Sequence, residues 1–364
     1  MLTLLPVEIG PHYLDQPLPC DLYNRNGVLL ARSGTIIRDQ ERLAHLSGQR
    51  LYRPGGHADD TSVSPLATLE AIARKYAGAI TPAPGLDVDA IAALSLELRQ
   101  LAQEHPEVCI GMAQRLPLPS LAQRHSLFVA SMAVIMARHA GLDAEQQVNI
   151  VRAALAMNLV SMPLQDQLAA SSAGPDAPQH EILFHHPLEA CALLVKAGVT
   201  DAAWLVLVAQ HHENVDGSGY PMGLKGDQIC PEARILRAAD VWCALLSHRH
   251  NRLARYPTQA FQEGFARERG RLDDSVLLAL RHLLGPFPPG TLVRLANRET
   301  AMITRWFGNR HTPGYAVSLL RSNGLPMTQP QRRNTTTTSY AIRGYTYLPL
   351  YHDPIDWESV WALG

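Results

Sequence analysis

The sequence predicts a mainly α protein: a helical bundle core flanked by a small N-terminal β-rich module and a C-terminal β-rich tail. Three observations carry this. Between Asp87 and about Leu284, apolar residues recur at three- and four-residue spacing. Before residue 54 and after Pro286 the pattern changes to short runs bounded by turn residues. The composition, 46% hydrophobic and 18% charged over 364 residues, is that of a folded chain long enough for one substantial core with smaller modules.

Residues 1–53 are the N-terminal module. Asn26–Gly27, between "CDLYN" and "VLLA", is a strong hairpin signal, and Thr35–Ile37 lead into a short helix, "DQERLAHL". Residues 54–86 read as a linker rich in Pro, Gly, Ser and Asp. It holds one helix, "TLEAIARKYAGAI", which Thr81–Gly85 breaks. Residues 87–285 make the helical domain, opening with "VDAIAALSLELRQLAQE". Ser120–Ala140 follows, capped by Ser120 and stopped at Gly141, and then a helix from Ala144 to Leu159 that ends before Pro163. Ser171–Gln179 reads as a loop and Pro187–Ala197 as a helix with proline in its first turn. Asp201 caps the helix that leads to His211, and Pro231 to about Ser247 is another. Residues 286–364 are the tail, with strands "TLVRL", "AMITRWF", "YAVSLL" and "YAIR" around the turns "ANRE" and "NRHTPG". Met327–Ser339 reads as a polar surface loop.

Net charge is -1, from 32 basic and 33 acidic residues, and no long basic run occurs. That argues against duplex nucleic acid as a partner and leaves room for a small anion held by a few arginines. The five cysteines form no CxxC pair and suit reduced thiols in a cytoplasmic protein. No basic, apolar leader opens the chain, and no window approaches the ~20 apolar residues of a membrane span. Sixteen histidines direct attention to metal chemistry.

His125, Phe128, Val129, Met132 and Met136 share one face of the Ser120–Ala140 helix. Alone, such a histidine is more often a core residue bonded to a carbonyl than a ligand. His185 or His186 stands before Pro187, where capping is the plainer role. His211 and His212 lie about 100° apart on a helix end, so one site between their directions takes both, while one core and one surface histidine is an equal alternative. Asp240 lies among Ile235, Leu236 and Ala239, where a carboxylate is costly unless it is paired or binds metal. Its plainer partner is Arg237 or Arg234.

"HHENVDGSGYPMGLKGDQI" (His211–Ile229) closely resembles the HD-GYP family, a branch of the HD metal-dependent phosphohydrolases. "RHSLFVASMAVIMA" and "ARILRAADVWCALLSHRHNR" resemble that family's first core helix and the helix after its loop. The resemblance covers roughly Ser120 to Asn297. It implies an HD-type helical bundle, a centre of iron, manganese or a similar ion, and hydrolysis of the bacterial second messenger cyclic di-GMP by a metal-bound hydroxide. Carried over, His125, His186, His211, His212 and Asp240 match metal ligands. Asp216, Gly217, Ser218, Gly219, Tyr220 and Pro221 match the loop beside substrate, and Arg249 and Arg252 match two basic positions suited to phosphate.

The pattern breaks at the pair for which the family is named. Met157–Asn158 stands in place of His-Asp, Ser161 in place of a following lysine, Leu121 in place of an acidic residue and Cys243 in place of an aspartate. Asparagine is a poor bridge between two hard cations, and a thioether does not replace imidazole for iron or manganese. The expectation is a catalytically impaired protein of cyclic di-GMP signalling. It would bind the nucleotide or its linear product, or a GGDEF diguanylate cyclase, as a monomer or homodimer. Its cofactor would be none, or one divalent ion (iron, manganese or zinc) on His186, His211 and His212. Asn158 is expected to bond His125 or Asp240. The alternative is residual metal-dependent phosphodiesterase activity.

Overall fold

The computed structural model describes residues 4–7, 14–15, 18, 22–24, 28–32, 35–47, 49, 51–54, 63–80, 86–247, 255–307, 309–348 and 355–363. They form two compact units, Met1–Val63 and Ser64–Gly364.

In the first unit, strands β1 (Leu4–Val7), β2 (Leu22–Tyr23) and β3 (Leu29–Ala31) precede helix α1 (Gln40–Ser47) and strand β4 (Leu51–Pro54). The sheet runs β1-β4-β2-β3 with antiparallel pairs. Its core is small: Leu18, Leu22, Ile37, Leu43, Leu46 and Leu51. The Asn26–Gly27 turn lies outside the described residues, and the strands on either side of it pair.

The second unit is an HD-type helical core with a sheet after it. Helix α2 (Pro65–Ala79) starts where the Ser64 hydroxyl accepts from the Ala67 amide. Helices α3 (Val88–Glu104), α4 (Pro106–Met112) and α5 (Leu121–His139) follow. α5 is buried almost all round from Ser126 to Ala137 because other helices, α3 among them, cover it on several sides. Ser120 caps it by accepting from the Gln123 amide. Helix α6 (Ala144–Ala156) packs along α5, held at its start by a capping box between Asp143 and Gln146.

α6 ends three residues earlier than the sequence pattern suggests. The Asn158 carbonyl accepts from the amides of Ser161 and Met162, and this turns the chain into α7 (Met162–Ala170). Met157 and Asn158 therefore sit on a turn. Helix α8 (Ala177–Lys196) corrects the expected loop and start at Pro187. Asp176 and Gln179 form a capping box that starts the helix ten residues before Pro187, at Ala177, and Pro187 lies inside the helix. Helix α9 (Ala202–Gln210) is capped by Asp201, and α10 (Pro231–Leu246) crosses α5. Two short turns, α11 (Pro257–Gln259) and α12 (Phe265–Arg267), flank a π-helical stretch over Ala260–Gly264, and α13 (Asp274–Leu284) completes the bundle.

Strands β5 (Leu292–Leu295), β6 (Thr300–Phe307), β7 (Asn309–Leu320), β8 (Pro326–Asn334) and β9 (Ile342–Tyr345) make a sheet of order β8-β7-β6-β5-β9. Two expectations change here. The "NRHTPG" segment belongs to β7, and most of the expected polar loop is β8, an edge strand. An edge admits Pro330, and Arg333 on β8 pairs with the half-buried Glu299 at 2.8 Å. Helix α14 (Trp357–Leu363) buries Val360 against Leu292, Met302 and Val317. The sheet meets the helical core at a glycine crossing. A Cβ on Gly290, whose φ is +85°, would lie 2.5 Å from the Gly111 Cα, and one on Gly111 would meet the Trp361 ring at 2.5 Å. No helix among the described residues is long and apolar enough to cross a membrane.

Candidate metal centre and its cavity

Five predicted ligands come together, in two groups. His186, His211 and His212 form the first, with one nitrogen from each lying within 4.8 Å of the others. His125 and Asp240 form the second, joined directly by a 2.8 Å bond between Nε2 and Oδ1.

Local backbone chemistry orients the first group. Pro187 has no amide hydrogen, so the carbonyl four residues back, on Leu183, receives no helical bond from it. His186 Nδ1 donates to that carbonyl at 2.6 Å. His211 Nδ1 likewise donates to the Val208 carbonyl at 2.7 Å, in the last turn of α9 where carbonyls lack a following helical amide. A carbonyl only accepts, so both Nδ1 atoms carry hydrogen and both Nε2 atoms present lone pairs. Those Nε2 atoms face each other at 3.1 Å. Backbone-oriented imidazoles with converging lone pairs could hold a metal ion. Burial keeps them neutral: it lowers the pKa of His186, takes His211 down to about 3 and holds His212 well below its ordinary value.

This has an acid consequence in the metal-free protein. The unfolded His211 titrates near pH ~6.5 and the folded one near 3, so the unfolded chain takes the proton first. The contribution of His211 is complete above pH ~6.5 and shrinks as pH falls toward 3, by ~2 kcal/mol at about pH 5. The expected result is a melting temperature that drops from about pH 7 to about pH 5, with a shallower drop in His211→Gln. Equal slopes in the two proteins would refute it.

The second group is neutralised from inside. Arg237, one turn before Asp240, places its guanidinium 3.4 Å from Asp240 Oδ2, 3.3 Å from Asn214 Oδ1 and 3.4 Å from His212 Nδ1. Burial raises the Asp240 pKa, but the His125 hydrogen bond and the neighbouring His125, His212 and Arg237 hold it well below the usual carboxylate range. The plainer expectation for Asp240, an ion pair with Arg237, is therefore realised alongside the contact with His125.

Asn158 does not bond His125 or Asp240, which corrects the expected partner. Its Oδ1 accepts from Gln165 Nε2 at 2.8 Å, and the same Nε2 donates to Ser161 Oγ at 2.9 Å. Gln165 on α7 reaches Asn158 because the chain turns back there. A neutral Asn158–Ser161–Gln165 network occupies this wall. Met157 is fully buried in the hydrophobic core.

The loop after the histidines is tied down along its length. The buried Glu213 carboxylate accepts from the amides of Met222 (2.7 Å) and Leu224 (2.9 Å). Asp216 Oδ1 accepts from the Ser218 amide, and Asn214 Nδ2 donates to Ser218 Oγ. Gly217 sits at φ +86°, a conformation open to glycine. Tyr220 and Pro221 are joined by a cis peptide bond. The Tyr220 ring stacks on His212 (centroids 4.6 Å) and on Phe184 (5.4 Å), fixing the imidazole from one side. Arg249 and Arg252 lie outside the described residues.

A cavity of about 820 Å³ opens beside these groups. Its wall includes His125, Asn158, His186, His212, Tyr220 and Asp240, and continues onto residues 288–292 and 346–347 of the tail. Sequence reasoning missed Gln165, Glu213 and Arg115 here. Only Arg237 carried a readable signal, its spacing of three from Asp240.

The helical core places His125, His186, His212 and Asp240 on one cavity with the buried His211 against His186, and residues 97–276 match the HD domain family model. The chain is 24% identical over 234 residues to the cyclic di-GMP phosphodiesterase PA4108 of Pseudomonas aeruginosa, which covers 64% of this chain and 56% of that protein. It is 33% identical over 193 residues to the cyclic di-GMP phosphodiesterase response regulator RpfG of Xanthomonas campestris pv. campestris, half of each chain. Bd1817, a HDG"Y"P protein from Bdellovibrio bacteriovorus, superposes with a TM-score of 0.50 at 14% identity, over 76% of this chain and 98% of its own, and shares the fold. The chain belongs to the HD-GYP family. It spans about half the length of the curated relatives it matches.

Proposed function

We propose that this chain is a protein of cyclic di-GMP signalling that has lost two-metal hydrolysis and acts by binding, either to the nucleotide or its linear product or to a GGDEF-domain partner. The observation that supports this most directly is the Asn158–Ser161–Gln165 network. The bridging position holds a neutral amide already engaged by Gln165, and Met157 beside it is committed to the core. Asp240, the remaining carboxylate of the set, is engaged by His125 and Arg237. These donors do not fit a pair of carboxylate-bridged cations.

They do fit one ion. His186 and His211 would hold it through their facing Nε2 atoms, with His212 beside them, and the donor chemistry suits zinc, iron or manganese. When bound, such an ion supplies a Lewis acid and lowers the pKa of a bound water. Around it, Leu183 and Val208 fix the ring tautomers, Tyr220, itself stacked on Phe184, covers His212 from one side, and Arg237 adds fixed positive charge next to Asp240. This supports a second reading, a single-ion phosphodiesterase. The loop Asp216–Pro221 is the partner-facing surface of the first reading, and its exposed Asp216 and Ser218 suit contact with another protein. The working arrangement is an N-terminal module 1–53, a linker 54–86, a helical domain 87–285 and a tail 286–364, acting in the cytoplasm.

The test is cyclic di-GMP turnover by the purified full chain after expression in iron-, manganese- and zinc-supplemented medium. The expected rate equals that of a His211→Ala, His212→Ala double variant. Restoring the pair with Met157→His, Asn158→Asp is expected to raise metal content toward two equivalents. Wild-type turnover well above the double variant overturns the binding reading, and less than a tenth of an equivalent of bound metal removes the single-ion alternative.

A further inference from the structure

The cavity wall also carries charge that the metal centre does not use. Arg115, Arg124 and Arg255 all line it, and the lone carboxylate among its described lining residues is Asp240, which is already engaged. None of the three arginines is spent on a strong ion pair. Arg115 ends a 3-10 turn at Ala113–Arg115. Its side-chain contacts are a long 3.4 Å bond to the Gly290 carbonyl and a position over the Trp357 ring, 5.8 Å from the centroid. Arg124, in the first turns of α5, donates to the Leu118 carbonyl. Arg255 lies 3.8 Å from Glu263, a carboxylate on the exposed side. Burial lowers the Arg115 pKa to about 10, and no carboxylate acts to restore it.

A guanidinium placed in a cavity wall without a carboxylate is costly, and an anion in the cavity offsets that cost. Planar guanidinium groups match phosphate oxygens in pairs. The volume, about 820 Å³, exceeds what one phosphate needs and suits a ligand with two phosphates and bulk between them. The tail is part of the arrangement: Gly290, whose carbonyl meets Arg115, is also the residue that crosses Gly111.

We propose that Arg115, Arg124 and Arg255, all on the helical core, form a phosphate-binding wall that, in a cavity completed by the C-terminal tail, holds a compact dinucleotide phosphoester independently of any metal on the histidines. This rests on the reading of the cavity as a nucleotide site. It assigns affinity to the arginines, and leaves the histidines to whatever chemistry or metal binding persists.

The test is equilibrium binding of cyclic di-GMP, of its linear dinucleotide product and of inorganic phosphate to the full chain stripped of metal by a chelator. The dinucleotides are expected to bind the stripped protein, more tightly than phosphate, with affinity falling as salt rises. Arg115→Gln and Arg255→Gln are each expected to weaken dinucleotide binding about tenfold or more. Arg267→Gln, on an exposed turn outside the cavity, is expected to leave it unchanged. Melting curves identify any variant that has lost its fold. If Arg115→Gln has, because of the Trp357 contact, Arg255→Gln alone decides. Wild-type affinity in a folded Arg255→Gln overturns the proposal, and so does a stripped wild-type protein that binds no dinucleotide. Turnover of cyclic di-GMP would overturn the loss of hydrolysis and leave the arginine wall standing.

Discussion

Replacing Glu213 by alanine is expected to release the whole loop from Asn214 to Gln228 while the helical bundle stays folded. Glu213 is buried, with 2% of its surface exposed, and its two carboxylate oxygens are the acceptors for the Met222 and Leu224 amides. Alanine leaves both donors without an acceptor. An unsatisfied buried donor costs ~1–3 kcal/mol, so the pair amounts to at most ~2–6 kcal/mol, the upper figure holding only where the loop stays in place and water reaches neither amide. Opening the loop to water is the cheaper response. Hydrogen exchange at Met222 and Leu224 should then rise by orders of magnitude while that of α5 barely changes. Unaltered protection at those two amides would show that the carboxylate does not hold the loop. Because His212 immediately precedes Glu213 and stacks on Tyr220, the same variant should also loosen the imidazole.

Gly219→Ala should be the most disruptive single methyl in the loop. Its Cβ would fall 2.3 Å from the Asn214 nitrogen and 2.5 Å from the Glu213 Cα. Both are backbone atoms, so no side chain can swing aside. The segment carrying Glu213 and Asn214 must move, and with it the hydrogen bonds from Arg237 to Asn214 and from Asn214 to Ser218. Overpacking of this kind costs ~1–3 kcal/mol where the surroundings yield and more where they do not, and the expected fall in melting temperature is ~5 °C or greater. A Gly223→Ala variant is the comparison. Its φ of +65° is also glycine-like, but the nearest atom to an added Cβ is 3.7 Å away. Equal melting temperatures for the two variants would mean that the close approach at Gly219 does not exist.

Much of the helical layout was legible because the core helices repeat their apolar residues with the helical period and open on residues that cap, as Ser120, Asp143 and Asp201 do. α8 was misread because Pro187 resembles a first-turn proline. The stronger signal, Asp176 with Gln179 three residues on, stands eleven residues earlier. β8 was misread because an edge strand needs no alternating apolar face, and its arginines and prolines imitate a loop. At the site, the family resemblance of the loop and its neighbouring helices implied the histidines and Asp240, while partner choice was not legible. Asn158 finds Gln165 because the chain turns at residues 157–161, and sequence spacing does not encode that turn. Arg237, the plainer partner of Asp240 in the sequence, does pair with it, and its reach to His212 is what the sequence does not encode. Glu213 gave no signal, since a glutamate next to two histidines looks like solvent-exposed charge.

The crossing of Gly111 and Gly290 has a consequence for the order in which the site is made. One face of the cavity comes from residues 288–292 and 346–347, and Trp361 closes over the crossing. The histidines and α5 leave the ribosome first, and until the tail follows they remain an open half-site. A chain that lacks the tail is therefore unable to complete the cavity wall. Under the proposed binding, capture of a ligand needs the tail, and shortening the tail should abolish it while sparing most of the helical bundle.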